Sequence, residues 1–481
     1  MAFQDLREFI HALEKRALLK RVTAPVDPIL EISEINDRVV KSGGPALLFE
    51  NVKGHKMPVA INLFGSEERM AMALGVQRLD EIAERLEKLL EIPRPTSFFD
   101  KLATLPLLAR VGSFLPKRVK SGPCQEVVEK DNPSFDSLPV NQCWPDDGGR
   151  YVTMGLVFTR DPIKNKDNVG MYRIQIYDER TSGMHWQIHK HGRTHERAYS
   201  ERGDRKMPVS VVIGADPAMI YSATAPLPDG IHEVLFAGFL RESPVELVKC
   251  VTNDLEVPAR AEIVLEGWVD PDERRVEGPF GDHNGYYSAP EPYPVFHLEC
   301  ITRRRDAIYN TTLVGPPPME DYWLGKATER IFLPLLRLQM PEIVDFNFPA
   351  EGVFHNCCLI SIRKRYPGHA KKVMHALWGL GQMMFTKLLV VVDHDVNVQN
   401  CSEVAWKVLS NVDWRRDVVV VEGPVDALDH ASPYPLVGGK MGVDVTRKGP
   451  EEGMPRAWPP EARMSKEIHD LVSARWTEYG L

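Results

Sequence analysis

Apolar and polar side chains alternate in Gly170-Met-Tyr-Arg-Ile-Gln-Ile-Tyr177 and again in Met184-His-Trp-Gln-Ile-His-Lys-His191. This period of two is typical of half-buried β-strands. Residues 178–183 lie between the segments and supply a turn. If the apolar faces meet, Ile174 pairs with Ile188 and Ile176 with Trp186. The two segments therefore predict a β-hairpin.

That register gives the hairpin a shared polar face, which consists of Arg173, Gln175, Gln187, His189 and His191. Such a face is either solvent-exposed or part of a site, and histidine favours a site because imidazole binds metals and transfers protons. A zinc protease is disfavoured, since His185 and His189 lack the Glu of H-E-x-x-H. Asn168 falls one residue off the alternation, which predicts a position at the loop edge, where its oxygen suits a hard cation.

Further strands are predicted on both sides of the hairpin, at 154–158, 209–213, 261–268 and 295–300. Short strands at this spacing, separated by Gly, Pro and Asp, indicate a sheet or barrel. One helix is expected among them, from Ile231 to about Arg241, with Asp229 as its N-cap.

The two ends of the chain predict mixed α/β structure. The N-terminal part has amphipathic helical spacing at 3–13 and 79–90, with short strands at 45–50 and 58–64. Residues 116–145 show no periodicity and read as a linker or wrap-around segment. From Asp321 onward, strand, helix and strand follow at short spacing, which predicts a partly parallel sheet. A final helix is expected over 465–479, with Ser465 as N-cap. We predict domains at 1–115, 116–320 and 321–481.

The composition is that of an ordinary globular protein, with 481 residues, 43% hydrophobic and 26% charged. The net charge of −8 disfavours a nucleic-acid or anionic-membrane binder. Seven cysteines without a C-x-x-C pair fit a reducing compartment rather than a disulfide framework. The N-terminus lacks the apolar core of a signal peptide, and no apolar run approaches the roughly 18 residues of a membrane span. We expect a cytoplasmic protein without a membrane span.

Two further segments carry acidic residues that suit chemistry. In Glu277-Gly-Pro-Phe-Gly-Asp282 a rigid turn separates two carboxylates, and such a pair can hold one acid neutral and the other charged. The alternative is a turn without chemistry. The apolar segment from Lys387 ends in Asp393 and Asp395, which either line a ligand site or cap the next helix. The absence of G-x-G-x-x-G, P-loop and G-x-S-x-G patterns removes support for dehydrogenase, NTPase and serine hydrolase functions.

In combination, Asn168-Val-Gly-Met-Tyr-Arg173, Gly183-Met-His-Trp-Gln-Ile-His-Lys-His191 and Glu277-Gly-Pro-Phe-Gly-Asp-His-Asn-Gly-Tyr-Tyr287 resemble the UbiD family of prenylated-flavin-dependent decarboxylases. The resemblance extends over essentially the whole chain, including Phe385-Thr-Lys387 and Gly438-Gly-Lys-Met-Gly442. The Asp-His-Asn-Gly-Tyr-Tyr ending is similar to the branch that acts on 4-hydroxybenzoate-type acids. The resemblance implies an N-terminal α/β domain, a central split β-barrel that binds flavin and a C-terminal α/β domain, assembled as homodimers or homohexamers.

The resemblance also implies roles for individual residues. Arg173, Glu277 and Asp282 match the catalytic network. Asn168, His191 and Glu233 match the ligands of Mn²⁺ or Mg²⁺, which bridges to the cofactor phosphate with K⁺ beside it. The cofactor-binding set is Arg173, Gln187, His191, Glu233 and Lys387. A departure lies at Asp282, where several relatives have Glu, so that the acid is one methylene shorter.

We therefore expect reversible, non-oxidative decarboxylation of a 4-hydroxybenzoate-type or related unsaturated acid with prenylated FMN. Loss of CO2 leaves an electron pair on an sp² carbon, and a modified flavin offers the electron sink that side chains lack. Asp282, held neutral by the like charge of Glu277, is expected to return a proton. The expected partners are a small aromatic acid, CO2 and a flavin prenyltransferase that supplies the cofactor. Two alternatives stay open, an FMN-dependent oxidoreductase on a split barrel and a non-catalytic metal-binding assembly subunit.

Overall fold

The N-terminal part of the computed structural model, which describes residues 3–90, 112–187, 190–228 and 230–480, is a small layer of helices on a four-stranded sheet. Its helices are Leu6–Lys15, Glu31–Lys41, Glu67–Ala73 and Asp80–Leu90, and its strands are β1 (Leu19–Val22), β2 (Ala46–Phe49) and β3 (Val59–Ile61). Asp5 caps the first helix by accepting from the Glu8 N–H at 3.0 Å. The predicted helices and strands are present, and the second and third helices were not predicted.

The central part is dominated by strands. They are β4 (Lys117–Val119), β5 (Val127–Glu129), β6 (Tyr151–Arg160), β7 (Asp167–Ile176), β8 (Thr181–Met184), β9 (Met207–Ile213), β10 (Glu246–Lys249), β11 (Glu256–Pro258), β12 (Ile263–Glu277), β13 (Phe280–Gly281), β14 (Tyr287–Ser288), β15 (Glu291–Arg303) and β16 (Tyr309–Asn310). The main sheet has the order β12-β9-β6-β7-β8-β15-β5, and β15 also pairs with β12. Because β15 pairs with both β8 and β12, the paired strands form a barrel-like ring. β4 and β5 lie in the segment expected to be a linker, and they join neighbouring sheets.

Both faces of this sheet are buried. Val209, Val211 and Ile213 of β9 pack into one core cluster, while Val212 packs into another with the N-terminal helices. This two-sided burial explains why β9 is a continuous apolar run rather than an alternating one. The separate N-terminal sheet recruits β16, which pairs with β3. The domain division at 115/116 and 320/321 stays a prediction.

The predicted hairpin forms with a different register. Ile174 pairs with Met184, not with Ile188, and β8 ends at Met184 instead of running to His191. The cause is a tighter turn, because the Asp178 carboxylate accepts from the N–H groups of Arg180 and Thr181 at 3.0 and 2.7 Å. The observed partner of Ile174 is four residues before the predicted one. Because four is an even number, the side chains of β7 keep the same face toward their neighbours.

Among its described residues, the central part has three α-helices where one was expected, namely His191–Arg202, Pro217–Ser222 and Glu233–Arg241. The last begins two residues later than predicted and is capped by His232, whose Nδ1 accepts from the Val234 N–H at 3.1 Å. Asp229, the predicted cap, lies outside the described residues. His191 begins a helix, so the expectation that it belongs to a strand is wrong.

The C-terminal part is a five-stranded sheet with helices. The helices are Glu320–Gln339, His369–Trp378, Cys401–Asn411 and Lys466–Ala474, and the strands are β17 (Ile343–Asn347), β18 (Cys357–Ile362), β19 (Leu388–Asp393), β20 (Val418–Pro424) and β21 (Val437–Asp444). The order is β17-β18-β19-β21-β20, with parallel pairs β18–β19 and β19–β21. The mixed α/β class and the partly parallel sheet are therefore confirmed. Ser465 caps the last helix, as predicted.

All seven cysteines are free thiols. Within the described ranges, no helix is both long enough and apolar enough to cross a membrane.

Candidate active site

Arg173 of β7 holds two carboxylates in the interior of the central sheet. Its Nε and Nη2 donate to Oε1 and Oε2 of Glu277 at 2.9 and 3.0 Å, and its Nη1 donates to Oδ2 of Asp282. Nη2 also donates to the Ser288 hydroxyl at 3.0 Å. Arg173 is 9% exposed and Glu277 is fully buried. The three residues of the predicted catalytic network therefore form one buried, directly bonded group.

Side chains from other segments hold the loop that carries Asp282 in place. Gln175 accepts from the Gly278 N–H at 2.8 Å, and Asp147 accepts from the Gly281 N–H at 2.8 Å. Phe280 is 2% exposed, and its ring lies 4.8 Å below the Arg173 guanidinium. Gly278 has a φ of +100°, a conformation that side chains rarely adopt. The segment is thus more than a surface turn, since it places a carboxylate at each end against one guanidinium.

The charges of this group stabilise one another against burial. Burial alone lowers the pKa of Arg173, but Asp282 and Glu277 outweigh it and hold the pKa above its usual range. Burial raises the pKa of Glu277, but His185 and Arg173 outweigh burial and lower that pKa below its usual range. Nδ1 of His185 lies 3.1 Å from Oε2 of Glu277. Both carboxylates are therefore ionised partners of a buried cation.

The expectation that Asp282 is neutral because of Glu277 is wrong. Arg173 lies between the two carboxylates and bonds each through a different edge. Burial raises the pKa of Asp282, but His283 and Arg173 reverse the shift and hold that pKa well below its usual range. Asp282 is therefore an anion in the structure, and it must gain a proton before it can give one away.

Asn168, His191 and Glu233 form a second cluster at the start of β7. Asn168 lies inside β7 and is buried, so the predicted loop-edge position is wrong. Its Oδ1 is 3.0 Å from Nδ1 of His191, the first residue of its helix. Glu233, first in the helix Glu233–Arg241, accepts from the Val169 N–H at 3.2 Å. The fold thus brings three predicted ligands from three elements together.

The donor chemistry of this cluster fits a divalent cation. Burial raises the pKa of Glu233 to about 7, and no cationic side chain pairs with this carboxylate in the part of the chain that the structure describes. A carboxylate, an amide oxygen and an imidazole are ligands that Mn²⁺ accepts. A bound cation here would neutralise a buried charge that no described cationic side chain pairs with.

Other predicted site residues lie elsewhere. Lys387 forms an ion pair of 2.8 Å with Asp429, in the C-terminal part. Gln187 is half-buried in the segment after β8, and His189 lies outside the described residues. Asn400, and not Asp393 or Asp395, caps the next helix. Asp393 accepts from the Arg447 backbone N–H and Asp395 from the Arg447 side chain.

Several contacts of the site were not predicted. His185 and Ser288 bond the Arg173–Glu277 pair, Asp147 holds the loop and His283 holds Asp282. His283 follows an acid of the motif, and that adjacency was the available signal. Asp147 has no sequence signal, because it reaches the loop across 134 residues.

The barrel-like sheet with a guanidinium held between two carboxylates defines the class of this protein as that of the UbiD-class enzymes. The enzyme HmfF of this class from Pelotomaculum thermopropionicum, solved with FMN, superimposes with a TM-score of 0.80 at 31% identity over 95% of this chain and 97% of its own. Vanillic acid decarboxylase of Sedimentibacter hydroxybenzoicus in closed form gives 0.85 at 30% identity over 99% of both chains.

Models of the three domains of 3-octaprenyl-4-hydroxybenzoate carboxy-lyase match the sequence in order. The N-terminal domain matches residues 10–89, the Rift-related domain 117–317 and the C-terminal domain 322–445. An uncharacterized protein of Archaeoglobus fulgidus is 55% identical over 479 residues, 99% of each chain. The chain belongs to the UbiD family, which confirms the resemblance inferred from its motifs.

Proposed function

We propose that this protein is a carboxy-lyase that removes CO2, reversibly and without net oxidation, from an aromatic acid with the help of prenylated FMN. The observation that carries the proposal is the buried bonding of Arg173 to both Glu277 and Asp282. Such a fixed group costs free energy to bury, and a buried cluster of charged groups with shifted pKa values fits a role in chemistry. The family membership and the FMN complex of the solved relative support the same conclusion.

In the proposed reaction, the cofactor, Arg173 and Asp282 have separate roles. Prenylated FMN, when bound, would supply the electron sink that accepts the electron pair left by CO2. Arg173 fixes the positions of Glu277 and Asp282 through bonds to both. Asp282, at the outer end of the group, returns a proton to the ring carbon after CO2 has left. Proton transfer by a positioned side chain contributes about 10²–10⁴-fold to a rate.

The cofactor assignment extends to cations and contacts. We assign Asn168, His191 and Glu233 to Mn²⁺ or Mg²⁺ at the flavin phosphate, with K⁺ nearby. Gln187 and Lys387 complete the cofactor contacts. The clustering of the first three residues supports the metal assignment. For Lys387, phosphate would replace or join the present partner Asp429.

The substrate proposed is a 4-hydroxybenzoate-type acid. The Asp282 to Tyr287 segment supports this choice, as does the solved relative described as a vanillic acid decarboxylase. An FMN-dependent oxidoreductase and a non-catalytic assembly subunit are not favoured, because family models and solved relatives of at least 30% identity belong to UbiD-class proteins. A flavin prenyltransferase would supply the cofactor, in the cytoplasm.

We also propose that the protein is a homo-oligomer. The C-terminal segment leaves large apolar side chains exposed, namely Met464, Ile468, Leu471, Trp476 and Tyr479. No residue of the helix Lys466–Ala474 is fully buried, so this helix gains little from packing within its own chain. An isolated nine-residue helix is marginal in water. A second copy of the chain would cover the apolar side chains and stabilise it.

The proposal is tested by producing the protein together with a flavin prenyltransferase. Its absorbance spectrum should report a modified flavin, and a panel of aromatic acids should release CO2. NAD(P)H oxidation with unmodified FMN and no CO2 release would contradict the proposal and favour the oxidoreductase.

A further inference from the structure

We propose that His283 supplies Asp282 with the proton that the reaction consumes, taking it up at Nε2 and passing it on from Nδ1. The inference rests on the proposed decarboxylase function and names the group that restores Asp282 between turnovers. His283 acts through Asp282, so it is a positioning residue and not a catalytic one.

The first argument is the bonding of Asp282. Nδ1 of His283 lies 2.8 Å from Oδ1, and the backbone N–H of His283 donates to the same oxygen at 2.7 Å. The other oxygen, Oδ2, is held by Arg173, which does not give up its proton. Of the groups that bond Asp282, His283 is therefore the one that can exchange a proton with it at neutral pH.

The second argument is the far side of the imidazole. Nε2 of His283 is buried and makes no hydrogen bond with any residue that the structure describes. The ring contacts Phe354 and His355, at centroid distances of 5.1 and 5.4 Å. A buried nitrogen without a partner is costly, and it is expected where a group must change its bonding during function.

The third argument is the charge around the ring. Among the described residues, the charged and titratable groups that face His283 are Asp282 on its own loop, Asp321 on the helix Glu320–Gln339, His355 in the segment before β18 and Asp426 after β20. Burial lowers the pKa of His283, but Asp282 and the other two acids raise it above its usual range. Burial, with the charge of His283, lowers the pKa of His355 to about 4. Of the two rings, His283 is the one that carries the proton.

Asp321, whose charge acts on the His283 ring, is a source of this proton. Burial raises its pKa to about 7, although His283 opposes the shift. A carboxyl that titrates near neutrality can take a proton from solvent and release it to an imidazole. The ordered path is then Asp321, His283 and Asp282.

The step balances. The bond between the ring carbon and the carboxyl carbon breaks, CO2 leaves, and the electron pair remains for the ring carbon. That carbon takes the proton of Asp282, Asp282 regains one from Nδ1 of His283, and the imidazole regains one at Nε2. One proton from solvent is consumed for each CO2 released.

The backbone beside the ring is held in an unusual conformation. Val353 and Phe354 have φ values of +49° and +47°, in the left-handed region that a β-branched residue rarely occupies. Phe354 fits because position 325 is glycine, where a Cβ would lie 2.7 Å from the Phe354 Cβ. Strain of this kind persists where the surroundings hold it and is common at functional sites. Here it places the Phe354 and His355 rings against His283.

The test separates the two parts of the reaction with H283N. Asparagine keeps an N–H donor near the position of Nδ1 but has no second nitrogen that titrates. In D2O with ¹³C-labelled bicarbonate, exchange of the substrate carboxylate needs no proton, whereas deuterium entry at the ring carbon does. We expect H283N loaded with prenylated FMN to retain carboxylate exchange within about twofold and to lose deuterium entry by about 10²-fold or more. H283Q serves as a second variant if H283N does not fold.

The matched control is H430N, because His430 is exposed and its ring contacts Tyr286 of the same loop, 4.1 Å away. It should exchange both labels like the wild type. A measurement that needs no cofactor is the pKa of His283, followed by NMR of histidine-labelled protein. This pKa should fall in D282N.

The outcomes are distinct. Equal loss of both labels in H283N, or loss of neither, contradicts the relay, as does an unchanged His283 pKa in D282N. A wild type that exchanges neither label contradicts the decarboxylase function itself, and with it the relay.

Discussion

Arg173 and Glu277 are 104 residues apart in sequence and form two parallel hydrogen bonds, of 2.9 and 3.0 Å, in the interior of the protein. The pair joins β7 to the end of β12, strands that are not neighbours in the sheet. A bidentate arginine–carboxylate pair fixes distance and orientation together. It therefore sets the geometry of the site before any ligand binds.

Removing the cation is expected to destabilise the fold. Arg173→Met leaves His185 as the one described side chain that bonds the buried Glu277 carboxylate. We expect a loss of about 3–5 kcal/mol in the free energy of unfolding, measured with urea. The double variant Arg173→Met with Glu277→Gln should recover part of this loss, since it removes the orphaned charge. A loss below about 1 kcal/mol in the single variant would argue against a buried, charged pair.

Asp321 makes stability depend on pH. Burial raises its pKa to about 7 in the folded protein, against about 4 in an unfolded chain. A raised folded pKa contributes stability below the unfolded value and loses it as the pH rises through about 7. Asp321→Asn should therefore gain in Tm over the wild type as the pH rises from 4 to 8. A difference in Tm that is constant over this range would contradict the assignment.

Glu233 is expected to couple metal binding to stability. Without cofactor, Mn²⁺ at 100 times its Kd should stabilise the wild type by about 2.7 kcal/mol. Glu233→Gln should reduce this gain, because it removes the buried carboxylate that the cation would neutralise. Glu299→Gln is the control, since Glu299 pairs with Lys206 on the surface. Equal gains in all three proteins would place the metal elsewhere.

Leu471 tests the proposed contact between copies. It is 50% exposed on the C-terminal helix. Leu471→Glu would bury a charge in the contact, so sedimentation should report a smaller species than for the wild type. A wild type that sediments as a monomer would contradict the proposed homo-oligomer. Lys466→Glu, a charge change on the same helix, is the control for a general charge effect.

The sequence was most informative where the relevant contacts are local or periodic. The Glu277 to Asp282 segment is short and rigid, so its two acids could be placed at the ends of one loop. Helices and strands with clear apolar periods, such as Leu6–Lys15 and β18, were predicted within a few residues.

The errors arise from side-chain contacts that leave no periodic pattern in the sequence. The register of β7 and β8 was missed because a side chain of the turn, Asp178, binds two backbone N–H groups and shortens it. The charge of Asp282 was missed because Arg173 reaches it across 109 residues and lies between the two acids. Neither effect has a periodic signal.

The central claim is that Asp282 returns the proton to the ring carbon of an aromatic acid. It is tested by following deuterium entry from D2O at that carbon, with wild type and Asp282→Asn both loaded with prenylated FMN. We predict ready entry in the wild type and a loss of about 10²-fold or more in the variant, with exchange of labelled CO2 retained. Deuterium entry at the wild-type rate in Asp282→Asn would contradict the account.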